Sequence, residues 1–280
     1  CTSWDTAYCC DKIIEWKKEK FGEEYAKKIY LIQDYEPGFY AWSTEYLLAE
    51  STYKNNAVKT IALFNSKELF DFFELRGYSF YQKEFFTPCL NEELAKYLNS
   101  NRPIKRKKRI LIYGRPGTQR NAFELIVHSL RLWKNKIDNP EQWDIISLGE
   151  TFDDIDLGDN VKIRCLGKAT LKGYAKMMLE SYIGISLMAS PHPSYPPLEM
   201  STFGMKVITN KFENKDLSRF NDNIISLSQS TPEIISDILK ELCLEYPNQI
   251  ANIQKESEYV KDNSSLTNAL NMISENFKLW

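Results

Sequence analysis

Ile110-Leu-Ile-Tyr-Gly-Arg-Pro-Gly-Thr-Gln-Arg-Asn-Ala-Phe-Glu-Leu-Ile126 is the stretch from which the architecture follows. Ile110 to Tyr113 is a short apolar run that reads as a buried strand. Gly114 and Gly117 make a turn, and a helix begins near Asn121. Phe123, Ile126, Val127, Leu130 and Trp133 then recur at steps of three and four, the spacing of one helix face. Strand, turn and helix in that order form half of a βαβ unit.

The same alternation extends in both directions. Apolar runs predict strands at Ile29–Gln33, Val58–Phe64, Trp143–Leu148, Val161–Cys165, Tyr182–Leu187, Lys206–Thr209 and Ile224–Leu227. Helical spacing covers Asp5–Lys20, Thr170 opens a helix through Tyr174 and Met178, and Thr231-Pro232-Glu233 is a helix start with Pro at its first position. Such alternation predicts an α/β fold with parallel sheets, and the number of units fits two sheets better than one. The polar stretch from Asn99 to Arg109, with Pro103 inside it, predicts the link between them. The expected domains are therefore 1–102 and 103–280, with a helical pattern from Asp237 to Trp280 whose last helices cross back. The basic run Lys105–Arg109 reads as a solvated linker in preference to a surface for anionic lipid or phosphate.

The 280 residues are 43% apolar and 13% aromatic, enough to fill a core and inconsistent with global disorder. Thirty-six basic residues against 38 acidic ones exclude a globally basic nucleic-acid binder. Six scattered cysteines and two histidines, His128 and His192, show no metal-ligand spacing, so the cysteines read as free thiols in a reducing cytoplasm. No apolar run approaches the ~18 residues of a membrane span, and the first residues lack the pattern of a signal peptide. The chain starts at Cys1, which reads as a fragment with an incomplete amino-terminal domain.

Ligands of open α/β sheets bind at the carboxyl ends of the strands. Arg115 and Arg120 fall in such a loop, beside a helix start, and two guanidinium groups there suit a diphosphate. The glycines spell neither GxGxxG nor GxxxxGK[ST], which removes most support for a dinucleotide or P-loop site. A second stretch, from Gly184 to Asn210, runs from a strand through Ser190-Pro-His-Pro-Ser-Tyr-Pro-Pro-Leu-Glu-Met200 into a helix carrying Glu199, with Gly204 at its end. Four prolines between 191 and 197 stiffen this loop. They leave the N–H groups of Ser194, Tyr195 and Leu198 as nearby donors. Glu199 is placed to accept from a sugar hydroxyl, or else simply complements the helix dipole.

Taken together, these stretches resemble the nucleotide-sugar-binding half of glycosyltransferase family 4, of the GT-B fold. The resemblance rests on Gly114, Arg115 and Arg120, on Leu148-Gly149, on Leu166-Gly167-Lys168, and on Pro196-Pro197-Leu198-Glu199 followed by Gly204, in order from about Lys108 to Leu239. It implies two Rossmann-like domains facing a cleft and transfer of a sugar from a nucleotide-sugar donor to a saccharide or lipid-linked saccharide. It also implies retention of anomeric configuration, with no further cofactor. The donor-binding residues it implies are Gly114, Thr118, Gly149, Gly167, Lys168, Ser194, Tyr195 and Leu198. Arg115 and Arg120 would hold the departing diphosphate, and Glu199 would orient the nucleotide sugar by its pentose.

The sequence departs from the family at one place. The family has two glutamates eight positions apart; the later is Glu199, but the earlier position is Pro191, followed by His192. The first glutamate's task then falls to His192, to Ser194, or to neither. His192 would bond the donor sugar or the β-phosphate, and as a cation would offset the leaving group's charge; the alternative is a histidine that packs the loop. Tyr30–Tyr40, Thr60–Leu69 and the Pro-rich loop are similar to bacterial rhamnosyltransferases of surface-polysaccharide assembly, which implies dTDP-L-rhamnose as donor. That role implies a cytoplasmic protein with peripheral association at the inner face of the membrane. Asp34, Tyr35 and Glu36, just past a strand end, are candidates for acceptor hydroxyls or for turn residues. Asp153–Asp159 contains Asp-x-Asp but reads as a solvated loop between strands, leaving the metal's electrostatic role to the arginines. Two other readings compete: a nucleotide-dependent oxidoreductase or epimerase, opposed by the missing fingerprint, and a non-catalytic sugar-nucleotide binder, suggested by Pro191.

Overall fold

The computed structural model describes residues 1–22, 26–99, 105–246, 253, 258–261 and 264–275. The first unit runs α1 (Trp4–Phe21), β1 (Lys27–Ile32), α2 (Thr44–Lys54), β2 (Lys59–Phe64), α3 (Lys67–Leu75) and β3 (Gln82–Phe85). Its three strands form one parallel sheet in the order β1-β2-β3. Ser66 starts α3 by accepting the Leu69 N–H at 3.2 Å. An aromatic core of Tyr30, Tyr35, Tyr53, Phe64, Phe72, Phe73 and Tyr78 fills the space between this sheet and its helices.

After α4 (Glu92–Ala95), the second unit runs β4 (Lys107–Gly114), α5 (Phe123–Trp133), β5 (Asp144–Gly149), β6 (Ile155–Gly158), β7 (Val161–Cys165) and α6 (Leu171–Glu180). It continues through β8 (Ser181–Ile185), α7 (Tyr195–Thr202), β9 (Lys206–Asn210), β10 (Ile224–Leu227) and α8 (Pro232–Glu245). The strand order is β10-β9-β8-β4-β5-β7-β6, parallel throughout except for β6. Ile-, Leu- and Val-rich strands buried on both faces are what a parallel sheet covered by helices requires. Thr170 and Thr231 cap α6 and α8 through the Gly173 and Ile234 N–H groups. Two strand runs from β4, one to β5 and one to β8, so the sheet reverses direction at β4. The crevice at the carboxyl end of that reversal is where open α/β sheets hold ligands.

The two units exchange elements. Leu90, Leu94 and Leu98 pack into the second unit's core with Leu111 and Ile146. Beyond α9 (Glu258–Lys261), α10 (Ser265–Glu275) returns to the first sheet, where Ala269 and Ile273 pack on Ile61 and Leu63. A polar seam also joins them: Glu68 pairs with Arg219, Asn214 Nδ2 donates to the Glu68 carbonyl at 2.8 Å, and Arg76 meets Glu213 at 2.8 Å.

The expected boundary at 102/103 lies outside the described residues, and two other expectations change. Two of the five residues of the basic run are not solvated: Arg106 is buried and donates to the carbonyls of Met178 (2.6 Å) and Ser181 (3.0 Å), and buried Arg109 meets Asp144 at 2.9 Å. The Asp153–Asp159 segment is not all loop. Ile155 and Leu157 pack into the core, so Ile155–Gly158 forms the antiparallel edge strand β6, and Asp154 is held by Lys162 at 3.1 Å and the Cys165 N–H at 3.0 Å.

Candidate functional site

The carboxyl ends of β4 and β5 meet in register at Gly114 and Gly149. Neither position tolerates a side chain: a Cβ on Gly114 would lie 2.1 Å from Ser147 Oγ, and one on Gly149 (φ +132°) 2.5 Å from the Gly114 carbonyl. This close approach brings Glu150 onto the loop after β4. Its carboxylate accepts the Gly117 N–H at 2.7 Å, the Thr118 hydroxyl at 3.3 Å and Arg115 Nε at 3.3 Å. The Gly117 N–H, followed by Arg115 and Thr118, holds this carboxyl below the usual range. Backbone amide, hydroxyl and guanidinium together form an anion cradle, and Glu150 occupies it.

Arg120 sits at the other end of the same loop. The Ala189 N–H donates to its carbonyl at 2.7 Å, which ties the loop to the Pro-rich segment after β8. Its side chain is engaged by the first unit: Nε lies 3.6 Å from Asp34, and the guanidinium rests 3.8 Å from the centre of the Phe39 ring. Asp34 also accepts from the Ser190 hydroxyl and from the Tyr35 N–H at 2.8 Å. Around them lies a cleft of about 470 Å³ between the units, lined by Gln33, Asp34, Phe39, Arg115, Arg120, Met188 and His192 among others.

His192 Nδ1 accepts the Ser194 N–H at 3.0 Å, which assigns the proton to Nε2. Nε2 is buried with no hydrogen-bond partner among the described residues. Burial pushes the imidazole down to about 4 against the opposing pull of Asp34, so the ring is neutral near pH 7 and offers one fixed donor. Beneath it Lys215 is fully buried and donates to the Met188 carbonyl at 2.6 Å, and burial brings its ammonium down to about 7. Asn210 braces the same residue, accepting the Met188 N–H at 2.7 Å.

Two more cavities adjoin the cleft. One of about 610 Å³ shares Tyr113 and Arg115 with it and adds Leu148, Gly149, Glu150, Lys168, Leu171 and Tyr174. The other, about 530 Å³, shares Tyr195 and is lined by residues 86–92, Glu199, Tyr259 and Leu266. Burial raises Glu199 to about 7, opposed by the neighbouring Tyr174 hydroxyl.

Comparison with known proteins agrees with this geometry. Residues 1–67 match the family profile "WsaF, N-terminal domain" and residues 108–240 match "WsaF, C-terminal domain". The chain is 30% identical over 205 residues to the O-antigen biosynthesis protein RfbC of Myxococcus xanthus; the match covers 72% of this chain and 15% of that much longer protein. Among solved structures it is similar to HepE of Anabaena in complex with UDP and glucose (TM-score 0.61, 13% identity, 90% of this chain and 72% of that one). It is also similar to WaaG, a glycosyltransferase involved in lipopolysaccharide biosynthesis (TM-score 0.59, 12% identity, 94% and 82%). The fold is GT-B.

Within this GT-B cleft the residues expected from sequence are only partly gathered. Arg115, Arg120, His192, Asp34, Glu36, Ser194 and Tyr195 line the central cavity, and Gly149 and Lys168 line the cavity next to it. Glu199 lies on the wall of a third cavity, one helical turn beyond Tyr195, so the arginines and Glu199 do not share one chamber. Tyr35 is not available to an acceptor: it stacks among Tyr53, Phe72 and Phe73 in the core. Glu36 is buried and takes the Tyr30 hydroxyl at 2.6 Å, with burial raising its carboxyl. Asp34 already serves Arg120 and Ser190. The Ser194 N–H is spent on His192, Leu198 is a core residue, and the Gly167 carbonyl accepts the Gly149 N–H at 3.0 Å. His192 as a cation is overturned by its burial.

Glu150, Lys215 and Phe39 were not singled out from sequence. Glu150 had one signal, its place directly after Leu148-Gly149. Phe39 lay inside a stretch that was noticed for other residues. Lys215 had none, because a lysine in a loop reads as solvated until the fold closes over it.

Proposed function

We propose that this chain is a nucleotide-sugar-dependent glycosyltransferase of bacterial surface-polysaccharide assembly. The observation that carries the reading is the anion cradle of Gly117, Thr118 and Arg115, with Arg120 beside it, at the sheet reversal and facing a cleft between two domains. A donor diphosphate takes the place of the Glu150 carboxylate in that cradle. The nucleoside fits the adjoining cavity against Tyr113, Leu148, Leu171 and Tyr174. The sugar projects toward Met188 and the His192 Nε2–H, whose missing partner is then a sugar hydroxyl or phosphate oxygen. Glu199, behind Tyr174, supports the nucleoside end.

Breaking the sugar–phosphate bond leaves positive charge on the ring and negative charge on the diphosphate. Groups that hold the diphosphate best as it departs lower the barrier. Two guanidinium groups supply that charge without a metal ion. The likeness of Ser190–Met200 to rhamnosyltransferases of family 4 supports dTDP-L-rhamnose as donor and retention as outcome. The likeness to the O-antigen protein RfbC supports a saccharide or lipid-linked saccharide acceptor at the cytoplasmic membrane face.

The test is transfer of labelled sugar from dTDP-L-rhamnose, with UDP-glucose in parallel, to a bacterial polysaccharide fraction. Acceptor-dependent release of dTDP supports the reading. A second reading, a sugar-nucleotide binder without catalysis, is favoured by Pro191 in place of the family's first glutamate; binding of either donor with no transfer would establish it.

A further inference from the structure

Tyr35 is buried in the aromatic core, and Glu36, although it lines the cleft, already accepts the Tyr30 hydroxyl. The loop that follows them supplies aromatic rings. Phe39 lies against Arg120 inside the cleft, and Tyr40 follows with its ring 6.4 Å from Phe39. Trp4 meets Tyr40 edge-on at 6.1 Å and donates its Nε1–H to the Tyr40 hydroxyl at 2.9 Å. Two residues further on, Trp42 is 96% exposed. An indole left almost wholly in water forgoes a large burial of apolar area. Here the cost falls two residues after Tyr40, in the loop whose Phe39 lines the cleft.

We propose that Phe39, Tyr40 and Trp42, backed by Trp4, form the subsite for the acceptor saccharide, with Trp42 as its outer stacking platform. The proposal rests on the glycosyl-transfer reading. A sugar ring carries an apolar C–H face and a polar rim, which suits rigid aromatic faces interleaved with hydroxyl and N–H groups. Charge separates this occupant from a lipid surface. From Gln33 to Tyr53 the chain has no Lys or Arg but includes Asp34, Glu36, Glu45 and Glu50. A segment that enters an anionic bilayer carries basic residues beside its aromatics. Phe39 itself lines the cleft, so a saccharide held against it would present its end toward the donor sugar.

The experiment labels the six tryptophans with 15N and follows their indole signals while neutral rhamnose and hexose oligosaccharides of two to six units are titrated. Trp42→Phe assigns the signal. The Trp42 and Trp4 signals should move, and those of the core residues Trp133 and Trp143 should not. Trp42→Ala should weaken oligosaccharide binding ~tenfold while stabilisation by dTDP is retained. Trp42→Phe should restore most of the affinity. A static Trp42 signal across the panel overturns the proposal, as does a Trp42 signal that responds to phosphatidylglycerol vesicles and not to sugars. Failure of dTDP to stabilise the protein would instead count against the donor site, independently of the Trp42 signal.

Discussion

His192 shows how burial alone redefines a residue's chemistry. With Nδ1 committed to the Ser194 N–H and the ring shielded, it is a neutral donor and not the cation its position suggested. The unfolded chain protonates this imidazole near 6.5, whereas the folded one resists until about 4, so folding loses stability as pH falls through that window. Urea unfolding should show wild type losing up to about 1.4 kcal/mol per pH unit relative to His192→Gln between those values. A difference that stays constant with pH contradicts the assignment. Glu150 makes a second residue-scale prediction. Its carboxylate competes with a diphosphate for the same N–H, hydroxyl and guanidinium groups, so Glu150→Gln should bind dTDP roughly tenfold more tightly, about 1.4 kcal/mol. Weaker binding by that variant, measured by calorimetry, would mean that the carboxylate builds the loop rather than blocking it. Arg115 and Arg120 were legible from sequence because they follow a strand end beside a helix start, in a stretch that resembles a nucleotide-sugar-binding half. Glu150 was not, and Asp34 was singled out for an acceptor and not as a counter-ion, because the contacts arise only where different strands or domains meet.

At the scale of elements, the touching ends of β4 and β5 set the site. Gly149 has a backbone conformation and a clearance that no side chain fits, and Gly149→Ala should cost about 2–4 kcal/mol in chemical denaturation. A fully stable variant with native spectra would show that the strand ends can separate. The strands at Val161–Cys165 and Ile224–Leu227 and the helix at Phe123–Trp133 match the sequence patterns because apolar spacing is a local signal. β3 and β6 were missed for a physical reason. Gln82–Phe85 has only intermediate burial, and Ile155–Gly158 sits inside an acidic run, so neither shows a continuous apolar stretch. Arg106 and Arg109 were misread as solvated because charge runs usually are; here carbonyls at the ends of α6 and α7 and the Asp144 carboxylate satisfy them.

For the whole molecule, the decisive feature is that the anion cradle belongs to one domain while its surroundings come from both. Asp34 and Phe39 reach Arg120 from the first domain, and Glu68 meets Arg219 on the opposite side of the seam. Two sheets were readable from the βα alternation, and the cleft between them from the resemblance to the GT-B fold. The three adjoining chambers, and the placement of Glu199 apart from the arginines, were not, because they depend on how the domains and the returning α10 close together. The cradle carries the glycosyl-transfer reading, and calorimetric titration of dTDP into wild type and Arg115→Ala/Arg120→Ala tests it most directly. Loss of two charge-assisted contacts should weaken binding by about a hundredfold or more, with the fold intact by circular dichroism. A double variant that binds dTDP as tightly as wild type would contradict it.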